Sequence, residues 1–536
     1  MNEVVDKNFK TLYPKIEEAI KKASFISIDA EFTGIQSSEV LKYSLFDSLD
    51  VRYEKLKKNI QPFVIIQCGI AAFFHVPGEN VYNAECFNFY LLPKSVPFKN
   101  RQFSWQVAAL EFLSAHNFDF AKFANEGISY LDEADERLLK QHMDEDDFMV
   151  NFEHLTYDEE DDLKDCTNKV YEWLKSSPDQ ISFQLETASP ILQYMMHKEL
   201  RTTFPNIWTV SGHKCLIVIK ASPDMRKVLQ EEETGNLEEE LLDSYVGVSK
   251  VLKLLISSKK PIIGHNVLLD LMFIHQQFYR PLPSRYSEFK SNIHTLFPQI
   301  YDTKFLSFEL KRVLDKGVNW KVTSLKTIYE YFSKNKGRYL VFKSPNVNLK
   351  DASPDENSYH NAGWDAYFAG YIFIKIAHVF SVKKYGGGLE QRSVTHSELM
   401  SSVRDFANCI NITRGNEIYS KLDGLDPLST RPQWLHVKMK SSSLNAKQVV
   451  EKFSFFGQVD VMPFARKRVL VAVANHKSAL DILNHFKDNQ DLQVARYSPI
   501  KHAPPSKIIL WSGVVLSGGM VAWMIHRIFK KSVQLS

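Results

Sequence analysis

The stretch S-F-I-S-I-D-A-E-F-T-G-I spans residues 24–35 and decides the predicted fold. Its apolar, β-branched start predicts a buried β-strand, and Asp29 and Glu31 stand where that strand ends. Burying two carboxylates costs free energy unless cations or hydrogen bonds compensate. Because residues i and i+2 of a strand point to the same face, roughly 7 Å apart, the two acids are able to share one metal ion or to hold two.

The D-x-E spacing by itself is weak evidence for a metal site. Asp158 and Glu160 have the same spacing, but they lie in an acidic run that water solvates. A helix cap or an exposed strand end would be the better interpretation of Asp29 and Glu31 if no other acid completed a site. The remaining sequence has to decide between these interpretations.

A second stretch, K-P-I-I-G-H-N-V-L-L-D-L-M-F-I at residues 260–274, predicts a short buried strand, a turn and an apolar helix. Asp270 lies in the first turns of this helix, where an acid among leucines needs a partner. A local cap or ion pair is the alternative interpretation.

A third stretch, Y-H-N-A-G-W-D-A-Y-F-A-G-Y-I-F at residues 359–373, places His360 just before a predicted helix and Asp365 on it. Five residues apart, the two side chains cannot share one regular helical face. They fit a histidine on the entering loop and an acid on the helix, both reaching one cleft. For a lone loop histidine, exposure or a simple hydrogen bond is the alternative.

Length and composition indicate an ordinary globular protein of two to four domains, with 536 residues, 44% hydrophobic and 24% charged. The five cysteines are scattered without a CxxC pair, a pattern typical of neither a disulfide framework nor a zinc site, and it suits a reducing compartment. Residues 1–24 lack the apolar core of a signal peptide.

The net charge of +3 is unevenly distributed. Residues 431–503 carry 12 Lys/Arg against 5 Asp/Glu, and residues 504–536 carry 4 against none. By subtraction, residues 1–430 carry 50 against 58. A basic C-terminal part beside an acidic body suits contact with nucleic acid or a membrane, and simple solubility is the equal alternative.

The clearest single element is the uncharged segment from Ile508 to Ile525, with Trp511 and Trp523 near its ends and a basic tail after it. This length just spans a hydrocarbon core, so we predict a transmembrane anchor at 508–526; a buried core helix is the alternative. A single-pass, tail-anchored protein would keep the rest of its chain in the cytosol, at the mitochondrial outer membrane or the endoplasmic reticulum.

Residues 431–500 are predicted to form a β-α-β-β-α-β domain with the ferredoxin-like order of RNA-recognition domains. The strand that normally carries RNA-stacking aromatics reads A-R-K-R-V-L-V-A-V instead. This degenerate domain is at least as well suited to a structural or partner-binding role.

The remaining chain is predicted to form one α/β domain in two parts, 1–130 and 251–400. A charged, mostly helical insert at 131–250 interrupts it. Residues 401–430 lack strong periodicity beyond a short helix at 400–409 and are predicted to be a connection.

The motifs D-x-E, G-H-N-x-x-x-D and H-x-x-x-x-D, in this order, resemble those of the DEDDh 3′→5′ exonucleases. The resemblance is to the poly(A)-specific ribonuclease (PARN) family, and it covers roughly residues 1–400. It extends to C-F-N-F-Y-L-L-P-K (86–94), F-L-S-A-H-N-F-D-F (112–120) and Y-D-T-K (301–304). With the terminal anchor, the chain is most similar to the membrane-bound PARN-like exonucleases that trim piRNA precursors.

The resemblance implies an RNase H-like mixed sheet flanked by helices and a two-metal exoribonuclease that releases 5′-mononucleotides. Asp29, Glu31, Asp270 and Asp365 would hold two Mg²⁺ ions, or Mn²⁺, because hard cations prefer carboxylate oxygens. His360 would be the general base. Three further residues are predicted to contact substrate: Phe32, for which a core position is the equal alternative, His265 and Asn266.

Two departures from PARN shape the functional expectation. The R-x-x-x-H signature of PARN's nucleic-acid-binding insert is degenerate or absent, since residues 196–201 read M-H-K-E-L-R. Together with the weak RNA-recognition domain, this favours an enzyme to which a membrane-bound Tudor-type or Piwi-complex partner supplies the RNA 3′ end. The resemblance also implies a homodimer. A general mRNA deadenylase, a catalytically inactive RNA-binding scaffold and a DNA exonuclease are the alternatives.

Overall fold

The structure is a computed structural model whose described residues fall in ten ranges. These are 1–144, 155–176, 179–232, 236–314, 324–340, 343–350, 353–354, 358–386, 392–440 and 444–502. The chain divides into two compact units. The larger comprises Met1–Lys42, Tyr53–Thr413 and Tyr419–Pro427, and the smaller comprises Tyr43–Arg52, Arg414–Ile418 and the chain from Leu428 onward.

Within those ten ranges, no helix is both long enough and apolar enough to cross a bilayer. The transmembrane helix predicted at 508–526 and the tail that follows it lie outside the described residues.

Up to Pro427, the chain combines strands of 3 to 11 residues with helices of up to 24 residues. The strands are β1 (Asn2–Val4), β2 (Phe25–Phe32), β3 (Ile65–His75), β4 (Val81–Tyr90), β5 (Ser182–Glu186), β6 (Ile207–Gly212), β7 (Cys215–Lys220), β8 (Ile262–Gly264), β9 (Ile300–Asp302), β10 (Asn346–Leu349), β11 (Cys409–Asn411) and β12 (Tyr419–Lys421). The helices are α1 (Asp6–Lys22), α2 (Leu49–Ile60), α3 (Val107–Ala115), α4 (Phe120–Glu126), α5 (Glu133–Asp144), α6 (Tyr157–Ser176), α7 (Pro190–Thr203), α8 (Pro223–Glu232), α9 (Leu237–Val246), α10 (Ser249–Ser258), α11 (Leu268–Ile274), α12 (Tyr286–Leu296), α13 (Thr303–Val313), α14 (Leu325–Ser333), α15 (Ala362–Tyr385) and α16 (His396–Val403).

The central sheet of the larger unit has the order β1-β4-β3-β2-β8-β9, and β10 also pairs with β4. Strand β2 lies between antiparallel β3 and parallel β8, and β9 continues in parallel beyond β8. The first nine residues of β3 are all buried, as expected for a central strand covered on both faces. This is the mixed, helix-flanked, RNase H-like sheet that the family resemblance implies.

Helix α15 lies unusually close to β3, and glycine makes this approach possible. A Cβ atom at Gly69 would lie 1.8 Å from the carbonyl oxygen of Ala362, and one at Gly370 would lie 2.2 Å from the Phe73 ring. The Ser27 hydroxyl of β2 donates a hydrogen bond to the Ala366 carbonyl at 2.6 Å. The start of α15 is therefore held against the middle of the sheet, beside the end of β2.

The insert contains more strand than the sequence predicts. Besides helices α5 to α9, it forms an antiparallel sheet of order β5-β7-β6 with its own apolar core. His197, the histidine nearest to the expected signature, is buried, and its two ring nitrogens contact the hydroxyls of Thr209 at 2.7 Å and Ser211 at 2.9 Å. Its ring is therefore engaged inside the insert and turned away from solvent.

The predicted connection at 401–430 is also more ordered than expected. The helix predicted at 400–409 instead spans His396–Val403, and Cys409 begins strand β11. Strands β11 and β12 form an antiparallel hairpin. Both strands belong to the larger unit, which extends to Pro427, whereas Arg414–Ile418 between them belongs to the smaller unit. Each strand of this hairpin is only three residues long, and polar turn residues separate the two. The pattern is therefore too short to predict strands from the sequence.

The smaller unit has the predicted ferredoxin-like order of elements. They are β13 (Leu435–Met439), α17 (Ala446–Ser454), β14 (Val459–Ala465), β15 (Arg468–Val473), α18 (His476–His485), β16 (Leu492–Arg496) and the short α19 (Pro499–His502). The sheet order is β14-β15-β13-β16, and α17 and α18 pack on one of its faces. Alternation along the strands places His436, Leu470 and Ala472 on the opposite face, which we call the outer face.

Residues of the same unit cover this outer face. The His502 ring of α19 stacks on His436 with centroids 4.3 Å apart and an interplanar angle of 20°. The backbone N–H of Leu45 donates to Asp460 at 2.7 Å, and Phe46 packs against Trp434. His436, Leu470 and Ala472 are accordingly only 6%, 3% and 2% exposed.

We therefore expect RNA not to bind this sheet as it binds typical RNA-recognition domains, where bases stack on the open face. Ultraviolet crosslinking of 4-thiouridine RNA to the full chain should map to the larger unit, with no crosslinked peptide from β13 or β15. His436→Ala should leave the RNA dissociation constant within about twofold of wild type, because a buried ring has no base to stack on. A crosslink at His436 or Leu470 would contradict this expectation.

Candidate active site

Four acids meet at one edge of the central sheet. Asp29 and Glu31 stand near the end of β2, and the parallel strand β8 brings the following turn and helix α11, with Asp270, to the same edge. Asp365 reaches this edge from the first turn of α15. The structure thus brings together the four acids that the sequence singles out, although they lie more than three hundred residues apart along the chain.

His360 joins the acids from the loop before α15. One ring nitrogen of His360 and one carboxylate oxygen each of Glu31 and Asp365 all lie within 4.8 Å of one another. The backbone N–H of His360 donates to Asp365 Oδ2 at 3.2 Å. The base candidate and the acid beside it are therefore tied together locally.

The environment of the acids strongly disfavours their ionised forms. Asp270 and Asp365 are 8% and 7% exposed. Burial, then the neighbouring charge of Asp365, raises the pKa values of Asp29 and Glu31 well above the usual range. Burial also raises the pKa of Asp270 to about 8 and that of Asp365 to about 7. Four clustered carboxylates without a cation repel one another and lose hydration, so bound cations would relieve both costs.

One observation tests directly whether this cluster fits a cation. Asp365 Oδ1 is buried and has no hydrogen-bond partner. A buried carboxylate oxygen without a partner costs free energy that a coordinated cation removes. An all-oxygen donor set of this kind suits Mg²⁺ or Mn²⁺.

His360 is half-buried and is held in a left-handed backbone conformation, with φ at 63°. Burial lowers its pKa, and the nearby His116 and Lys326 lower it further. The ring therefore remains neutral near pH 7 and is able to accept a proton.

Two buried amide side chains set the start of α15, and neither was among the residues predicted for the site. Gln67 Oε1 of β3 accepts from the Ala362 N–H at 2.9 Å, and Asn88 Oδ1 of β4 accepts from the Gly363 N–H at 3.1 Å. The first N–H groups of a helix have no partner within the helix, so these amides replace water there. A polar residue inside an otherwise apolar strand was the available signal.

Asp302, another acid that was not predicted for the site, forms a hydrogen bond with the turn Gly264-His265-Asn266. Asp302 is fully buried, and its carboxylate accepts from the backbone N–H groups of Asn266 at 2.8 Å and Asn411 at 2.9 Å. Its charge contributes to the raised pKa of Asp270. Asp302 therefore supports the position of the turn that leads to Asp270.

The three predicted substrate contacts lie beside the acids but are partly engaged within the protein. Asn266 Oδ1 accepts from Asn411 Nδ2 at 2.7 Å, and His265 Nδ1 contacts the Thr303 hydroxyl at 2.9 Å. Phe32 is partly exposed and stacks on Phe273, with centroids 4.3 Å apart. One face of Phe32 is thus covered, and its contact with a substrate base stays a prediction, as do those of His265 and Asn266.

A sequence profile of the CAF1 family ribonucleases matches residues 4–373, which include all five residues of the acid–histidine cluster. The chain belongs to the CAF1 ribonuclease family. It is 34% identical to the pre-piRNA 3′-exonuclease trimmer of Bombyx mori over 98% of this chain and 99% of that protein. It is 28% identical to the poly(A)-specific ribonuclease PNLDC1 of Mus musculus, over 97% of this chain and 98% of the relative.

Poly(A)-specific ribonuclease PARN of Xenopus laevis is also 28% identical, over 92% of this chain and 80% of PARN. This CAF1-family member is thus a 3′→5′ exoribonuclease of the PARN group, as the order of its motifs predicts. Its match to the Bombyx mori protein is nearly end to end, so the insert and the smaller unit belong to the shared architecture.

Proposed function

We propose that this ribonuclease trims the 3′ ends of piRNA precursors, using two Mg²⁺ ions held by Asp29, Glu31, Asp270 and Asp365. The observation that carries the chemistry is the cluster of four mutually repelling carboxylates, two buried and two half-buried, in which one buried oxygen of Asp365 has no hydrogen-bond partner. The substrate assignment is supported by the 34% identity to a pre-piRNA trimmer across both whole chains. Mn²⁺ would fit the same oxygen donors.

The protein residues carry distinct tasks in this proposal. His360 accepts the proton of the attacking water at its ring nitrogen, a task that suits a neutral imidazole. Asp365 holds the backbone of His360, and Phe32 packs against the terminal base or ribose. When bound, the metal ions supply the Lewis acidity that activates water and stabilises the leaving 3′-oxygen. The product is a 5′-mononucleotide.

The location of the enzyme is part of the same proposal. The uncharged segment at 508–526 would anchor the protein in the mitochondrial outer membrane or the endoplasmic reticulum, with the catalytic body in the cytosol. The outer face of the smaller unit is covered, and the His197 ring is engaged within the insert, so this proposal does not assign RNA binding to either of them. A membrane-bound Tudor-type or Piwi-complex partner would deliver the RNA 3′ end, and a homodimer is compatible with the family resemblance.

A second candidate function is general poly(A) deadenylation, because the PNLDC1 and PARN relatives are poly(A)-specific ribonucleases by name. The two candidates differ in base preference. A trimmer has to remove any nucleotide, whereas a deadenylase should stall at the first nucleotide that is not adenosine.

The experiment uses purified protein that lacks residues 504–536 and two single-stranded RNAs of equal length, one of mixed sequence and one ending in poly(A). With Mg²⁺, 5′-labelled RNA should shorten in a ladder, and 3′-labelled RNA should release labelled mononucleotide at once. Comparable rates on both RNAs support trimming, and a preference above about tenfold, or 1.4 kcal/mol, supports deadenylation. Internal fragments, or no activity with wild-type protein and either metal, would overturn the assignment and favour an inactive scaffold.

A further inference from the structure

The C-terminal end of helix α3 contacts the proposed general base. The His116 ring lies edge-to-face against the His360 ring, with centroids 4.1 Å apart and an interplanar angle of 63°. Phe112, one helical turn earlier, contacts the same ring edge-to-face at 4.8 Å. Among the aromatic side chains that the structure describes, these two pack against His360.

His116 is itself held in one orientation. Its Nδ1 lies 2.7 Å from the carbonyl oxygen of Phe112, and because a carbonyl only accepts, Nδ1 carries the donated proton. Its backbone N–H caps α3 by donating to the carbonyls of Phe112 and Leu113, and the left-handed Asn117 then turns the chain away. The ring is therefore a fixed surface at the helix end.

Among the residues that the structure describes, in contrast, none forms a hydrogen bond with the His360 ring. Its left-handed backbone is an uncommon conformation for a residue with a side chain, and such conformations persist only where surrounding contacts enforce them. Its hydrogen bond to Asp365 involves the backbone N–H, which fixes the main chain but leaves the side-chain torsions free. Orientation of the imidazole has to come from packing.

We propose that His116 is a positioning residue for the catalytic reaction: its ring, together with Phe112, holds the His360 imidazole at the orientation needed to accept a proton. This inference rests on the proposed function of His360 as the base. It assigns a role to residues 112–120 (F-L-S-A-H-N-F-D-F), a stretch to which the proposed metal site and general base assign none. The task depends on the shape of the ring at position 116, and the charge of that ring is not required.

The magnitude of the effect follows from the geometry of proton transfer. An edge-to-face aromatic pair of this kind favours one ring orientation beyond the effect of buried area alone. A misplacement of about 1 Å at a reacting group costs on the order of 100-fold in rate. Loss of the His116 ring should therefore lower kcat by roughly 10- to 100-fold, and KM should stay within about threefold because RNA contacts are unchanged.

The test uses the full chain in detergent, with single-stranded RNA and saturating Mg²⁺, and compares three variants at position 116. His116→Ala and His116→Gln remove the ring and should both show the loss in kcat. His116→Phe keeps a ring of similar shape without an ionisable group and should stay within about threefold of wild type. Glu111→Ala, an exposed change on the same helix, is the matched control and should behave like wild type.

Each outcome decides the inference. If His116→Phe is as slow as His116→Ala, the imidazole itself participates and positioning by packing is wrong. If KM rises while kcat holds, His116 contacts RNA, which also overturns it. Should His116→Ala fail to fold, the contrast between the Gln and Phe variants still decides. Inactive wild-type protein would instead reject the proposed function, so the two failures remain distinct.

Discussion

Glu31→Ala is expected to reduce kcat by at least about 10³-fold, because it removes one of four carboxylates that would hold the metal ions, and metal ions contribute several kcal/mol to such reactions. The measurement is the rate of mononucleotide release from 3′-labelled RNA at saturating Mg²⁺. The fold should survive, since Glu31 is half-buried among other acids and its pKa is raised by burial and by their charge. Removing it relieves repulsion, so the melting temperature of the metal-free variant should equal or exceed that of wild type.

The matched control is Asp158→Ala. Asp158 belongs to the other D-x-E pair, lies exposed in the first turn of α6, and has no described role near the acid cluster. Its loss should leave kcat unchanged. Activity of Glu31→Ala near that of wild type would contradict the assignment of the metal site and would leave the chain with a different catalytic centre.

Withdrawal of metal ions is expected to abolish activity and to make stability strongly dependent on pH. A carboxyl group with a raised pKa binds more protons in the folded than in the unfolded chain. In the metal-free protein, the contribution of these acids to stability is therefore fully present below about pH 4, and it is lost as the pH rises through the pKa values of about 7 for Asp365 and about 8 for Asp270. The expected loss is on the order of 3 kcal/mol, or roughly 3 °C in melting temperature for a chain of this length.

Thermal unfolding at pH 5 and pH 8, in EDTA and in Mg²⁺, measures this effect. The destabilisation at pH 8 should appear in EDTA and be reversed by Mg²⁺, because binding to the folded state alone stabilises it. Asp365→Asn, which removes one charge without changing the shape, should reduce the difference between the two pH values. Equal melting temperatures at pH 5 and pH 8 in EDTA, for both proteins, would show that the acids do not repel one another as the geometry implies.

The acids themselves were predictable from the sequence because each breaks a strong local pattern. Asp29 ends a buried strand, and Asp270 interrupts an apolar helix, so both demand a partner that the rest of the chain has to supply. The ferredoxin-like order was equally readable, since its strands and amphipathic helices follow simple periodicities.

What was missed depends on contacts between distant parts of the chain. Gln67 and Asn88 contribute to the site because they accept hydrogen bonds from the first N–H groups of α15. Asp302 contributes because it accepts one from Asn266 in the G-H-N turn. Periodicity carries no information about such pairings. His116 lies in a stretch that the resemblance includes, but its neighbour His360 is almost 250 residues later.

The assignment of Tyr43–Arg52 to the smaller unit has a consequence for how the protein is made. Phe46 packs against Trp434, which the ribosome adds much later. At about 5–20 residues per second, the interval between the two is roughly 20–80 s. During this interval of synthesis, Phe46 in the segment Tyr43–Arg52 lacks its packing partner Trp434. The segment Tyr43–Arg52 is a defined target for chaperones in that interval. A chain that terminates before Trp434 never forms the contact between Phe46 and Trp434.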